Sequence, residues 1–424
     1  MDMENATKRS RQDYIWNTTA GLINAAEAVI MSMIVTRITN LSDAGMLTIA
    51  FAIGNLMMTI GKFGVRNYQV TDVEQRYSFA VYVKSRLITL LLMIIASMSY
   101  LGYAYVILGY NFYKIGIIFA ICMIYAVEAA EDVVWGYYQR LGYLAVGAKM
   151  FCSRWTGILV SFVIILCISR NLMITLLICL GVSILVLCFT IGRTYNIYCM
   201  VQDRKVLHSV GTVPFSQMRD LLWNVFPLFC STFFAFYVNN APKYAIDAVM
   251  TDEVQACYGF VAMPVFVIGL LNGFIYQPTL VYMSIEWNEG NFDQLLHRIK
   301  RQILIIAGLT GVCLIGAYIL GIPVLSLLYK TDLRQYKAEL MLLLVASGLL
   351  AASGYLGVVL TIMRNQKKMM AAYGVISIIA FVTVKHIVSL YGTLGAVLSY
   401  MMLMLLLCIV YSVILNRCLK GIKS

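Results

Sequence analysis

The chain has 424 residues, of which 61% are hydrophobic and 12% charged, and its mean hydropathy is +0.82. A soluble protein of this length could not hide that much apolar surface, because the buried fraction rises only slowly with size. The net charge of +12, which in a soluble chain would point to nucleic acid, fits the basic cytoplasmic loops of a membrane protein instead.

The apolar runs are long and continuous rather than alternating, which favours helices over a β-barrel, and each approaches the roughly 20 residues that cross a hydrocarbon core. Twelve spans are predicted, at about 14–38, 43–63, 84–108, 113–138, 148–169, 172–200, 219–240, 254–283, 299–329, 338–363, 369–390 and 392–417. The fold class is therefore an all-α integral membrane protein with twelve transmembrane helices. Lys8, Arg9 and Arg11 precede the first span without a small-residue cleavage site, so this segment is expected to stay attached. The connections on the side of the N-terminus carry 24 of the 32 Lys and Arg. That bias puts both termini in the cytoplasm. The outer loops are too short to hold a catalytic domain, so an enzyme such as a polysaccharide polymerase is not expected.

The longest cytoplasmic connections are Val65–Val83, Val201–Met218 and Ile285–Arg298, and the second of them separates six spans from six. It divides the chain into an N-terminal lobe, 1–205, and a C-terminal lobe, 206–424. A weak repeat agrees with this division. Trp135–Arg140 and Leu360–Asn365 each end a span on a short basic turn. Tyr68-Gln69 follows span two, and Tyr276-Gln277 lies toward the end of span eight. Two parallel repeats about an axis along the membrane normal leave such traces. The eleven cysteines form no CxxC pair and read as small buried hydrophobes. The histidines match no zinc motif and no Walker loop is present, so no metal or cofactor is expected.

Ionisable residues at bilayer depth are functional candidates by default. Span one carries Asn24 and Glu27, close together near its middle. Glu27 is a candidate for ion coupling, with a plain interhelical hydrogen bond as the alternative. Span four carries Glu128, Glu131 and Asp132 on one face. Glu131 and Asp132 are expected to pair with Arg140, Lys149 or Arg154, whereas the deeper Glu128 is a second coupling candidate. Arg37, Lys62 and Arg66 end spans one and two. They either snorkel to headgroups or form a cationic route for an anionic headgroup. Span seven closes on Asn239-Asn240-Ala241-Pro242-Lys243-Tyr244-Ala245-Ile246-Asp247. Lys243 there is either a cation for an anionic ligand or a clamp on Asp247, four residues on. Five of the six prolines, among them Pro227, Pro242, Pro264 and Pro278, fall in or beside spans of the second half, where kinks free backbone carbonyls.

Four segments carry a resemblance: FGVRNYQVTDV (63–73), EAAEDVVWGYYQRLGYLAVGAK (128–149), PLFCSTFFAFYVNNAPKYAIDAVM (227–250) and FVAMPVFVIGLLNGFIYQPTL (260–280). In these the chain resembles the polysaccharide-type, Wzx-like flippases of the multidrug/oligosaccharidyl-lipid/polysaccharide superfamily. The resemblance implies two six-helix lobes around a central cavity, which move a polyprenyl-diphosphate-linked oligosaccharide from the inner to the outer leaflet by alternating access, as a rule coupled to a proton or sodium gradient. It implies partners in membrane lipid, a polysaccharide polymerase and glycosyltransferases, and none in nucleic acid. A cationic cavity would meet the diphosphate. Lys243 matches the motif lysine, and Arg37, Lys62, Arg66 and Arg154 are placed in it by location. Glu27, Glu128 and Asp247 are the ion-coupling candidates, and Asn24, Asn239, Asn240 and Gln277 the polar lining. The first span departs from many relatives in carrying Glu27 where they carry positive charge. The alternative is a cation-coupled multidrug or metabolite antiporter of the same superfamily.

Overall fold

The structure is a computed structural model that describes residues 3–72, 74, 76–198 and 214–423. Among these residues the chain is almost wholly helical and contains no strand. The helices are α1 (Met3–Ile38), α2 (Leu41–Lys62), α3 (Val65–Thr71), α4 (Phe79–Val106), α5 (Phe112–Arg140), α6 (Leu144–Ser169) and α7 (Leu172–Tyr198). Then come α8 (Phe215–Val249), α9 (Asp252–Ala262), α10 (Val265–Tyr276), α11 (Leu280–Asn288), α12 (Phe292–Gly316), α13 (Ile322–Tyr329), α14 (Lys337–Ile362) and α15 (Gln366–Lys423). Nine helical stretches among the described residues are long and apolar enough to cross a membrane. The chain is thus a multi-pass membrane protein.

The predicted spans are helical, with two differences, at spans eight and three. Span 254–283 is broken into α9, α10 and α11, interrupted at Met263-Pro264 and at a 3-10 turn, Gln277–Thr279. Each break contains a proline, which lacks the amide hydrogen that continues a helix. Spans 369–390 and 392–417 are two helices, as drawn, that meet at a kink at Gly392; its φ of 59° and ψ of −140° are not helical and are values glycine adopts without strain, and α15 denotes the pair. Span three begins at Phe79 rather than at 84, so Arg86 lies two turns inside α4.

The chain divides into two compact units, Met1–Phe233 and Phe234–Ser424. The boundary expected at 205/206 lies outside the described residues. The observed division falls within α8 because the first half of that helix packs on the N-terminal unit. Met218, Leu221 and Val225 share a buried cluster with Phe63, Val65, Tyr77, Val81, Tyr82 and Val133, Phe229 stacks on Phe63 at 4.2 Å, and Asn224 donates to the Tyr77 hydroxyl at 3.2 Å. From Phe234 onward α8 belongs to the second unit, where its carbonyl accepts from Ser377 at 3.4 Å.

The turn after α2 sets up this packing. Phe63 and Gly64 are both left-handed, with φ of 48° and 71°, and together they end α2 and start α3. A side chain at Gly64 would meet Leu228 at 3.0 Å. The loop from α3 to α4 is tied down by Asp72, which accepts from the backbone amides of Arg76 and Tyr77 and from the Tyr82 hydroxyl at 2.8 Å. Burial pushes this carboxyl up, but the Tyr82 bond and the two backbone amides outweigh it and hold it below its ordinary value.

In the second unit Phe260 stacks on Tyr329 at 3.9 Å, and Ser347 of α14 donates to the Val265 carbonyl of α10. Helix α12 ends in a π-helical turn, Ala317–Gly321, before Pro323 of α13.

Candidate functional site

The N-terminal unit gathers its charges on one face of α5. Tyr125, Glu128, Glu131, Asp132, Trp135 and Gln139 recur at helical spacing, so they share one stripe. Four neighbouring helices, α2, α3, α4 and α6, each press one cation onto that stripe. Glu128 accepts from Lys62 at 2.9 Å, from Arg154 at 3.1 Å and from the Trp155 indole at 3.0 Å. Glu131 accepts from Arg154 at 2.8 Å, and its other oxygen is buried with no hydrogen-bond partner. Asp132 accepts from Arg86 at 2.8 Å and from Arg66 at 3.4 Å. Arg86 also donates to the Gly61 carbonyl of α2, which Thr89 shares at 2.8 Å.

Four cations thus face three carboxylates. Taking such charges out of water costs several kcal/mol each unless they are paired, and here each carboxylate has at least one basic partner. Arg154 is 0% exposed and Arg86 2%. Lys62 and Arg66 keep 33% and 22% of their side chains accessible. They line a cavity of about 260 Å³ together with Asn17, Asn24, Trp135 and Phe151. Arg66 lies 4.0 Å above the Trp135 ring and donates to Gln139 at 2.8 Å, so its guanidinium is held flat at the cavity wall.

A second polar group lies deeper on the same stripe. The Tyr125 hydroxyl donates to Glu27 of α1 at 2.8 Å and receives the Asn55 amide at 3.3 Å. The other Glu27 oxygen is buried without a hydrogen-bond partner.

One of the expected pairings holds and the other is revised. Glu131 pairs with Arg154, one of its three expected partners, but Asp132 pairs with Arg66 and Arg86 instead of Arg140, Lys149 or Arg154. Helices α3 and α4 reach Asp132 across the packed interior, whereas the expectation considered only cations in the next loop. A span three drawn from 84 leaves Arg86 at its very start, whereas α4 begins at Phe79. The apolar run Phe79-Ala80-Val81-Tyr82-Val83 before Arg86 is the signal that places it inside the helix. Lys62, Arg66, Glu128, Glu27 and Asn24 are brought together in the first unit, with Arg154 sealed behind them.

The remaining candidates lie elsewhere. Arg37 is exposed in the last turn of α1. On α8, Lys243 is half-buried and makes no ion pair among the described residues, so it is not clamped to Asp247. Beside it Tyr237 stacks on Tyr244 at 5.8 Å. The Asn239 side-chain oxygen is buried and unbonded, while Asn240 donates back to the Phe236 carbonyl at 3.1 Å. Asp247 is buried, and Gln277 is exposed in its 3-10 turn.

An uncharged polar tie also joins three helices of the second unit. Where Gly61, Arg86 and Asp132 tie α2, α4 and α5, the second unit ties α10, α12 and α14. Gln302 donates to Asn272 at 2.7 Å, and Asn272 donates to the Ala351 carbonyl at 3.4 Å. The first of the two pairs of segments compared in the sequence also corresponds, since α5 and α14 each end on a short turn with a left-handed residue, Gly142 and Arg364; the second does not, since Tyr68-Gln69 lies within a helix and Tyr276-Gln277 at a helix end.

No family model matches the chain, and no curated protein matches it in sequence. Solved structures do. The chain is similar to an inward-facing multidrug resistance MATE family transporter of the MOP superfamily at a TM-score of 0.68 and 12% identity, covering 94% of this chain and 96% of that one. It is similar to a eukaryotic MATE transporter at 0.64 and 14% identity, covering 97% and 98%. It is also similar to the lipid II flippase MurJ in an inward closed conformation at 0.66 and 11% identity, covering 96% and 88%. Along nearly its whole length, the chain therefore has the fold of the MATE and MurJ transporters of the MOP superfamily.

Proposed function

We propose that the protein is a Wzx-like flippase that moves a polyprenyl-diphosphate-linked oligosaccharide from the inner to the outer leaflet of the bacterial cytoplasmic membrane, with both termini in the cytoplasm. The observation that carries this reading is Lys243, a half-buried cation in a membrane helix that no carboxylate neutralises among the described residues. A cation in that setting calls for an anion from a ligand. The buried Asn239 oxygen and the stacked Tyr237 and Tyr244 beside it suit the hydroxyls and faces of sugars. Lys62 and Arg66, at the mouth of the first-unit cavity, add cations that could meet a diphosphate, and the fold likeness to the lipid II flippase MurJ supports the same class of substrate. Glycosyltransferases that build the oligosaccharide and a polymerase that consumes it are the expected partners.

A second reading, a cation-coupled drug or metabolite antiporter, is favoured by Glu27. Its unbonded buried oxygen is the place for a coupling proton or cation, and the likeness to MATE transporters points the same way. Both readings use Glu27, so the discriminating assay is cargo. In proteoliposomes the protein should flip a fluorescent polyprenyl-diphosphate oligosaccharide. Lys243→Ala should slow this by about 10- to 100-fold, the worth of one charge-assisted contact of roughly 1.5–3 kcal/mol. A protonophore and Glu27→Gln should each slow it as well. Export of a cationic dye with no flipping of the lipid would replace the first reading by the second.

A further inference from the structure

We propose that the second unit holds a separate binding site for a phosphate group borne on an alkyl chain, in the cleft where α11 turns into α12. This site is independent of Lys243 and of the first-unit cavity, and it does not depend on the flippase reading.

The cleft is a cavity of about 580 Å³, larger than the one beside Lys62. Its walls come from α10 and the following 3-10 turn, from α11, and from the first four turns of α12. At one end are His297, Arg298 and Arg301, which the spacing i, i+1, i+4 places along one side of α12. Arg298 is fixed in position by Glu286, a buried carboxylate that accepts from both its Nε and its Nη2. This fork leaves Arg298 Nη1 uncommitted. Arg301 and His297 are exposed and make no ion pair among the described residues. Asp293, a second carboxylate of the lining, is exposed and forms no ion pair with Arg301 or His297 among the described residues. Arg298 Nη1 and the Arg301 guanidinium are therefore the donors left to a ligand, and an anion with several oxygens is what would take them up.

The other end of the cleft is apolar, with Ile275 and Ile305. Past Arg301 the outward side of α12 becomes apolar. Leu304, Val312 and Ile315 are 72%, 69% and 66% exposed, as a lipid-facing helix would be. The helix thus changes from cations to bare hydrocarbon within about one turn of Arg301. Tyr282, which is 60% exposed and faces Arg298 at 5.8 Å, and Trp287, packed on Phe292 at 5.4 Å, mark this level as headgroup depth. Basic clefts between helices at that depth take phosphate head groups, while the chain lies along the apolar side.

The test uses the full-length protein in phosphatidylcholine nanodiscs, titrated with phosphatidylglycerol or with inorganic pyrophosphate. Binding is read by native mass spectrometry and by thermal shift. Arg301→Gln should weaken phosphatidylglycerol binding about fivefold, the effect of one cation near the surface. Lys300→Gln removes the same charge from the next residue, which is exposed but does not line the cleft, and should leave binding unchanged. Competition by pyrophosphate would assign the site to a free phosphate as well as to a lipid, and its absence to the lipid alone. Equal losses in the two variants, or no phosphatidylglycerol bound above the phosphatidylcholine background, would overturn the proposal. Both variants change exposed residues, so folding is preserved and either outcome is readable.

Discussion

Removing Arg154 should be among the most damaging single changes in the N-terminal unit. The side chain is 0% exposed, and it holds Glu128 and Glu131 at once, at 3.1 and 2.8 Å. In Arg154→Met, Glu128 retains Lys62 at 2.9 Å and the Trp155 indole at 3.0 Å. Glu131 retains nothing, since its second oxygen already lacks a hydrogen-bond partner. Breaking a buried pair from one side costs about 3–5 kcal/mol because a charge is left without a counterion. At about 2–4 °C per kcal/mol for a unit of this size, the midpoint should fall by roughly 6–20 °C. The assay is thermal unfolding in detergent followed by fluorescence size-exclusion chromatography. Arg154→Met combined with Glu131→Gln should recover most of the loss, because removing both charges avoids the desolvation cost. A fall of less than about 3 °C in the single variant would refute the reasoning, as would a double variant less stable than the single one.

Two further stability predictions follow from the same unit. A methyl at Gly147 would sit 2.0 Å from Cδ1 of Trp135, near the stiff base of the indole, which also supports Arg66 at 4.0 Å. Gly147→Ala should therefore cost about 1–3 kcal/mol by overpacking and shift tryptophan emission; an unchanged midpoint with unchanged emission would show that the helices yield there. For Asp72 the folded carboxyl lies below its ordinary value, so its stabilisation is fully present above the unfolded value near pH 3.9 and is lost as pH falls through the folded value. Asp72→Asn should then melt below the wild type from pH 5 to pH 8, with the gap closing below about pH 4; a gap independent of pH would mean that the side chain acts only by shape.

Much of the site was legible one residue at a time. Glu27, Glu128, Lys62 and Arg66 were picked out because charges at or near bilayer depth are rare, and the structure draws them together around one cavity wall and the stripe beneath it. Their partners were not legible. Asp132 meets Arg86 across 46 residues of sequence, and Lys62 meets Glu128 across 66. Lys243 shows the limit from the other side: the i, i+4 spacing to Asp247 suggested a clamp, and the structure forms no ion pair there.

The sequence by itself determined that this chain lives in a bilayer as a bundle of helices, and where most of them run. Transfer into hydrocarbon is nearly a local sum, taken residue by residue over one helix length, so it can be added up without knowing the fold. Tertiary structure alone decided which cation neutralises which carboxylate, that Arg86 is buried, and that α8 belongs partly to each unit. Those outcomes depend on which helical faces are brought within about 3 Å of each other. Hydrophobic pattern holds no record of that, since every lipid-compatible face reads alike until the helices pack.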